Sequence, residues 1–192
     1  SNAGTQTAAL FAGGHRGNPP PNVNTDLVEQ WNGTNWTEVN DLNTAGEHRA
    51  NVGTSTSALA YGGSAPPYTA DTELWNGTNW TEQNNLSTAR TQAGKGGGTT
   101  NALAVSGYNG SNLANVEAWT AAGVPIGVWS TGGALNTARA QNSGAGASNA
   151  SGLTFGGTPI PGVAGKTEQY DGTSWTEVND MNKGGVERGG TG

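Results

Sequence analysis

Residues 31–36 read WNGTNW, and residues 75–80 read WNGTNW again. Asn-Gly is the strongest short signal for a tight β-hairpin, because both residues tolerate a positive φ. A tryptophan on each side of such a turn lies close enough to its partner for cross-strand contact, and it adds a large apolar area to a thin sheet. The stretch therefore predicts a hairpin that occurs at least twice.

The hairpin belongs to a longer repeat. The strand-like stretches ALFAGG (9–14), ALAYGG (58–63), ALAVSG (102–107) and GLTFGG (152–157) recur about every 45–50 residues. Each is followed by a polar loop of variable length, a Glu-x-aromatic stretch and, in three units, a Trp-Thr-Glu stretch; the third unit carries an insertion over 120–128. A linker such as DLNTA, NLSTA or ALNTA then leads to an arginine. We predict four units of four short strands each.

A four-stranded sheet cannot bury both of its faces alone, whereas sheets stacked around an axis can. An apolar strand that ends in two glycines, followed by an aromatic residue and then a tryptophan, resembles the Kelch repeat of β-propellers. The resemblance implies an all-β propeller of four Kelch-like, four-stranded blades. Its aromatic positions fall on Trp31, Trp75, Trp119 and Tyr170, and its tryptophan positions on Trp36, Trp80, Trp129 and Trp175. The compact WNGTNW units also look like repeats of bacteriophage tail and structural proteins.

We predict one domain over residues 4–192, divided near 4–49, 50–90, 91–139 and 140–192. Residues 1–3 have the sequence that tag removal leaves, so the fold prediction leaves them out. The C-terminal ERGGTG joins the N-terminal GTQTAALFAGG in the register of the internal repeat, so the ends are expected to share a strand. One chain then closes as four blades, or two chains pair into eight; a segment of a longer array is the third alternative.

Composition narrows the functional classes. With a net charge of −6 the chain lacks the clustered Lys and Arg that nucleic acid requires. No apolar run reaches the ~18–20 residues of a membrane-spanning helix. There is no cysteine, and neither histidine occurs in a metal-binding spacing. We therefore expect no metal, no cofactor, no catalytic residues and neither nucleic acid nor membrane as partner.

Charged residues recur once per unit. Glu29, Glu73, Glu117 and Glu168 each stand two residues before the aromatic position. The arginines that follow the linkers are Arg49, Arg90, Arg139 and Arg188. These groups either pair with one another inside the protein or line a channel that binds an ion or anionic group. A polar pair that recurs in every repeat favours pairing inside the protein.

The loops escape the constraints of the repeat, so binding is expected there. Those that follow the second strands emerge at one edge, and their candidate binding residues are His15, Arg16, Asn18, Tyr68, Asp71, Tyr108, Asn109, Asn112 and Lys166. We expect a non-enzymatic binding or structural module for a protein or a glycan, from an extracellular, cell-surface or virion protein. The alternatives are a polysaccharide hydrolase or lyase that uses loop carboxylates such as Asp26 or Asp71, and a purely structural fragment of a longer array.

Overall fold

The computed structural model describes residues 2–17, 23–64, 67–124, 126–159 and 161–186. In these ranges the chain forms sixteen β-strands and no helix, so the predicted all-β class is confirmed. Consecutive strands pair antiparallel in four four-stranded sheets. Most of these strands are three to six residues long, as expected for short runs bounded by Gly, Asn and Pro.

The strands fall into sheets in chain order. Sheet 1 contains β1 (Asn2–Gly4), β2 (Ala9–Arg16), β3 (Val23–Trp31) and β4 (Trp36–Val39). Sheet 2 contains β5 (Ala50–Gly53), β6 (Ala58–Tyr61), β7 (Thr72–Trp75) and β8 (Trp80–Glu82). Sheet 3 contains β9 (Gly94–Gly97), β10 (Asn101–Val105), β11 (Val116–Thr120) and β12 (Val128–Thr131). Sheet 4 contains β13 (Ser143–Ser148), β14 (Ser151–Phe155), β15 (Thr167–Tyr170) and β16 (Trp175–Val178).

The chain divides into two compact units, Ser1–Thr91 with sheets 1 and 2 and Gln92–Gly192 with sheets 3 and 4. In each sheet, side chains alternate between two faces. We call the face that carries the repeated glutamate and the aromatic hairpin pair the leading face. The face that carries the repeated leucine (Leu10, Leu59, Leu103 or Leu153) is the trailing face.

In both units the same two kinds of face meet. In unit 1, Leu10 and Val28 on the trailing face of sheet 1 pack against Trp75 and Trp80 on the leading face of sheet 2. In unit 2, Leu103, Val105 and Val116 pack against Tyr170 and Trp175 of sheet 4 in the same way. The apolar area removed from water at these contacts is the main stabilising contribution to a chain whose sheets are thin.

The first strand of sheet 1 includes two residues that the fold prediction left out. Asn2 and Ala3 form β1 with Gly4 and pair with Phe11 and Leu10 of β2. The sequence Asn-Ala-Gly-Thr at 2–5 matches Asn-Val-Gly-Thr at 51–54, which begins sheet 2. Residues 187–192, which were expected to contribute to a shared strand, lie outside the described residues.

The hairpin turns have the predicted chemistry. Gly33, Gly77 and Gly172 have φ of 95°, 94° and 97°. The Asn32 side-chain oxygen accepts hydrogen bonds from the N–H groups of Thr34 and Asn35, both at 2.9 Å. The positive φ that glycine tolerates and the asparagine side chain together close the turn.

Candidate functional site

The first candidate is the repeated charged pair. In unit 1, Glu73 is fully buried and its Oε1 lies 3.3 Å from a guanidinium nitrogen of Arg49. The N–H groups of Asn43 and Thr44 donate to the two carboxylate oxygens at 2.8 and 3.2 Å. The Asn43 amide also donates to Oε2 at 3.1 Å. This carboxylate thus accepts four hydrogen bonds inside the protein.

Unit 2 repeats the arrangement. Glu168 pairs with Arg139, and both side chains are 1% exposed. The backbone N–H and the side-chain amide of Asn136 each donate to Oε2 of Glu168 at 2.8 Å. Arg139 also donates to the carbonyl of Lys166 at 3.1 Å. Because its lone pairs and protons are used in this way, the charged pair fastens the linker to sheet 4 and leaves no group for a ligand.

The arginines reach these carboxylates from different backbone positions. The N–H of Gly107 donates to the carbonyl of Arg139 at 3.1 Å. The corresponding bond in unit 1 runs from Gly14 to Gly46 at 2.9 Å, so Gly46 and not Arg49 occupies the equivalent backbone position. Arg49 lies three residues later and reaches back, because its linker is longer by Gly46-Glu47-His48.

The remaining charged positions differ in burial. Glu117 is 1% exposed and Arg90 is fully buried. Glu29, in contrast, is exposed on the leading face of sheet 1. Arg188 lies outside the described residues. Glu29 therefore differs in environment from the other three repeated glutamates.

In each hairpin the two aromatic side chains pack against one another. Ring centroids lie 5.6, 5.4, 5.3 and 5.0 Å apart in the pairs Trp31–Trp36, Trp75–Trp80, Trp119–Trp129 and Tyr170–Trp175. The indole N–H of the first tryptophan donates at 3.0 Å to a carbonyl in the preceding turn, at Gln6, Ser55 and Thr99. Trp36 is the exception, since 49% of it is exposed.

The loop edge of unit 1 brings several candidate residues together. His15 and Arg16 end β2 and are exposed. His15 Nδ1 lies 3.4 Å from Oδ1 of Asn24 and 3.5 Å from Oε2 of Glu47, and His48 Nδ1 lies 3.7 Å from the same Glu47 oxygen. We call His15, Asn24, Glu47 and His48 the histidine cluster. Two imidazoles thus flank one partly exposed carboxylate.

Of this cluster, only His15 was predicted from the sequence as a candidate binding residue. Glu47 and His48 could have been found from the linker DLNTAGEHR, which is three residues longer than NLSTAR or ALNTAR and contains both residues in its extra length.

Tyr68 is half-buried and forms a β-bridge with Ser64. Asp71 is half-buried and accepts a hydrogen bond from Asn85 at 3.3 Å. Asp26 is half-buried within β3, and Asn18 lies outside the described residues.

The loop edge of unit 2 carries the other candidates. Tyr108 is half-buried and forms a β-bridge with Asn112, while Asn109 is exposed. Lys166 interacts with Glu177 and with Asp180, the latter at 3.6 Å. The hydrogen bond to Glu177 raises the pKa of Lys166 above its ordinary range. The structure thus places Tyr108 and Asn112 together, whereas Lys166 is engaged with carboxylates of sheet 4 and its linker.

Neighbouring loops are joined by the same bond in both units. The Asn24 amide donates to the carbonyl of Ser64 at 2.5 Å, and the Asn112 amide donates to the carbonyl of Thr158 at 3.1 Å. The asparagine of one repeat is thereby tied to the chain that follows the double-glycine position of the next repeat. These bonds hold the variable loops on a fixed backbone.

The third-repeat insertion adds an apolar surface. Val124, Ile126 and Val128 are 51%, 54% and 51% exposed.

Among the described residues, no group of three or more His, Asp or Glu side chains is arranged to hold a metal ion. The described part of the chain also contains no helix long and apolar enough to cross a membrane.

Comparisons with known proteins define the fold. No protein-family model matches the sequence, and no curated protein matches it. Among solved structures, the chain is similar to that described as "Structure of YjhT", with a TM-score of 0.79 and 11% sequence identity over 97% of this chain and 71% of the other. At this identity the likeness carries the fold alone. The chain therefore has an all-β, multi-blade, propeller-like fold built of four-stranded antiparallel sheets.

Proposed function

We propose that the protein is a non-enzymatic binding or structural module that recognises a protein or a glycan through its variable loops. The observation that carries the proposal is the shared loop anchor, in which Asn24 donates to Ser64 and Asn112 to Thr158. In repeat proteins the conserved strands usually form the scaffold, and the loops that vary between repeats usually form the binding site. The repeated buried charges, in contrast, are used within the scaffold.

The exposed chemistry of the loops suits such ligands. In unit 1 the histidine cluster offers imidazole groups and a carboxylate at the surface, next to the half-buried Tyr68. In unit 2, Tyr108 stands beside the exposed amide of Asn109. Aromatic rings with a polar tip and charged or amide neighbours supply both apolar contact and directional hydrogen bonds to hydroxyl-rich or peptide ligands.

The test is a glycan array combined with a pull-down on the immobilised protein. Tyr68→Ala and Tyr108→Ala are expected to weaken capture of the ligand about tenfold or more, since a buried aromatic anchor contributes more than ~1 kcal/mol at an interface. Thr78→Ala is the matched control, because Thr78 lies in the hairpin turn at the opposite end of sheet 2. A glycan and a protein ligand are distinguished by which arm responds. If both arms return nothing, the proposal is wrong.

A further inference from the structure

The leading face of sheet 1 carries two exposed carboxylates side by side. Glu29 of β3 and Glu38 of β4 stand directly opposite one another in the strand register, and both are exposed. Among the described residues, no cation or hydrogen-bond donor contacts either carboxylate. Like charges that face one another across two strands destabilise a sheet. The pair therefore weakens sheet 1 unless a cationic group binds to it.

Exposed aromatic side chains flank the two carboxylates. Phe11 lies opposite Glu29 in the register of β2 with β3 and is 42% exposed. Trp36, two residues before Glu38 on the same face, is 49% exposed. At the position of Phe11, sheets 2 and 4 have the smaller side chains of Ala60 and Thr154, which are fully buried. Sheet 1 thus adds an aromatic ring beside its carboxylates.

The equivalent glutamate pair of sheet 2 shows what such carboxylates bind. Glu73 and Glu82 stand opposite one another there as Glu29 and Glu38 do in sheet 1. Glu73 pairs with the guanidinium of Arg49 at 3.3 Å and accepts hydrogen bonds from the N–H and the amide of Asn43. The same Asn43 also hydrogen-bonds Glu82. One linker therefore supplies a guanidinium and an amide to both carboxylates.

Sheet 4 repeats this arrangement with a shorter linker. Its glutamates, Glu168 and Glu177, stand opposite one another in the register of β15 with β16. Glu168 pairs with Arg139 and accepts two hydrogen bonds from Asn136, while Glu177 pairs with Lys166. Both positions of the glutamate pair thus have polar or cationic partners in sheets 2 and 4.

The segment that binds Glu168 spans only a few residues. In ALNTAR (134–139), Asn136 and Arg139 bind the carboxylate, and the preceding Leu135 belongs to the apolar cluster that contains Trp175. The linker of sheet 2 likewise places a leucine, Leu42, in the cluster of its hairpin tryptophans. An apolar side chain, an amide and a guanidinium in the pattern Leu-Asn-x-x-Arg are therefore sufficient to fit a face of this kind.

We propose that the leading face of sheet 1 binds a segment of another protein with the pattern Leu-Asn-x-x-Arg. The arginine binds Glu29 and Glu38, the asparagine donates to Glu29, and the leucine packs against Trp36. Arginine fits this face better than lysine, because its planar guanidinium binds carboxylates through two parallel hydrogen bonds and also stacks on an aromatic ring such as Phe11. The surface does not include the variable loops, so this interaction goes beyond the ligand binding proposed above.

The test uses the peptide ALNTAR with blocked ends as the probe, titrated into the intact chain and followed by NMR shifts of the β3 and β4 amides. Wild type is expected to bind it saturably. Glu29→Gln should weaken binding about tenfold, as expected for the loss of a hydrogen bond between charged groups. Phe11→Ala should weaken binding of ALNTAR more than that of ALNTAK, since only the guanidinium stacks on the ring.

The control is Thr37→Gln, because Thr37 is exposed on β4 but points to the opposite face, and this variant should bind the peptide normally. Absence of binding at millimolar peptide overturns the proposal. So does equally tight binding by Glu29→Gln, or of a peptide with norleucine in place of arginine. A wild-type mass of twice the 19.3 kDa chain mass that Glu29→Arg halves would assign the face to a second copy instead.

Discussion

The Arg139–Glu168 pair illustrates why a polar residue can recur in every repeat without being a site. Both side chains are almost completely buried, and each accepts or donates several hydrogen bonds beyond the ion pair. Desolvating two charges costs several kcal/mol, which only such complete pairing offsets. The residue pair specifies how sheet 4 packs, and the loss of one partner is more costly than the loss of both.

Arg139→Met is expected to lower the free energy of unfolding by about 3–5 kcal/mol, because it leaves the Glu168 carboxylate buried and unpaired. Adding Glu168→Leu should recover much of the loss. Arg49→Met should cost less than Arg139→Met, since the Nε of Arg49 already lacks a hydrogen-bond partner. Urea unfolding measures all three changes, with Lys166→Met at an exposed ion pair as the control. Equal losses for the single and double variants would contradict this account.

Asp171 predicts a pH dependence in the fourth hairpin. The N–H groups of Ser174 and Thr173 donate to its carboxylate at 2.9 and 2.8 Å and lower the pKa of Asp171 below its ordinary value of about 3.9. The charged carboxylate therefore stabilises the fold at any pH above its ordinary pKa. This stabilisation is lost as the pH falls from that ordinary value through the lowered pKa of the folded protein. We expect wild type to lose stability relative to Asp171→Asn as the pH falls towards 3.

The asparagine variant is a close control, because Asn32 and Asn76 occupy the same turn position and accept the same two backbone hydrogen bonds. Urea midpoints at neutral and acid pH measure the difference between the two proteins. A difference that is independent of pH would show that the Asp171 charge makes no contribution of its own.

At the scale of the element, the third repeat shows how a hairpin tolerates a longer connection. The pair Trp119–Trp129 keeps a centroid distance of 5.3 Å although Thr120 and Val128 now bound an insertion. Gly127 makes this feasible, because the chain passes directly against the indole of Trp119 there. A Cβ atom at Gly127 would lie 2.1 Å from Cζ2 of Trp119.

Gly127→Ala is therefore expected to destabilise the protein by about 1–3 kcal/mol, since the overlap with a fully buried ring forces a side chain or the backbone to move. Gly98→Ala is the matched control, because a Cβ there has no neighbour within 4 Å and needs no positive φ. It should stay within about 1 kcal/mol of wild type. Thermal unfolding of the two variants checks the contrast, and equal effects would show that the insertion simply moves aside.

The elements that sequence predicted best are those with local signals. The double glycines, the Asn-Gly turns and the alternating apolar strands each fix backbone geometry within a few residues, and the four sheets follow from them. The arginine position was not predictable in this way. Arg49 and Arg139 reach equivalent glutamates, Glu73 and Glu168, although Arg49 lies three positions later in its repeat. Alignment of the repeats at the arginine therefore misplaces the linker. The histidine cluster joins residues that are distant in sequence and that carry no motif.

At the scale of the whole molecule, the repeat leaves two surfaces of unequal kind. A leading face with its glutamate and a trailing face with its linker are complementary in every packed case within the two units. Because the same two kinds of face meet in both units, one packing rule applies to the sheets of each unit. The sequence predicted that the chain ends share a strand, and residues 187–192 of that prediction lie outside the described residues. On the leading face of sheet 1, Phe11, Glu29 and Trp36 are exposed.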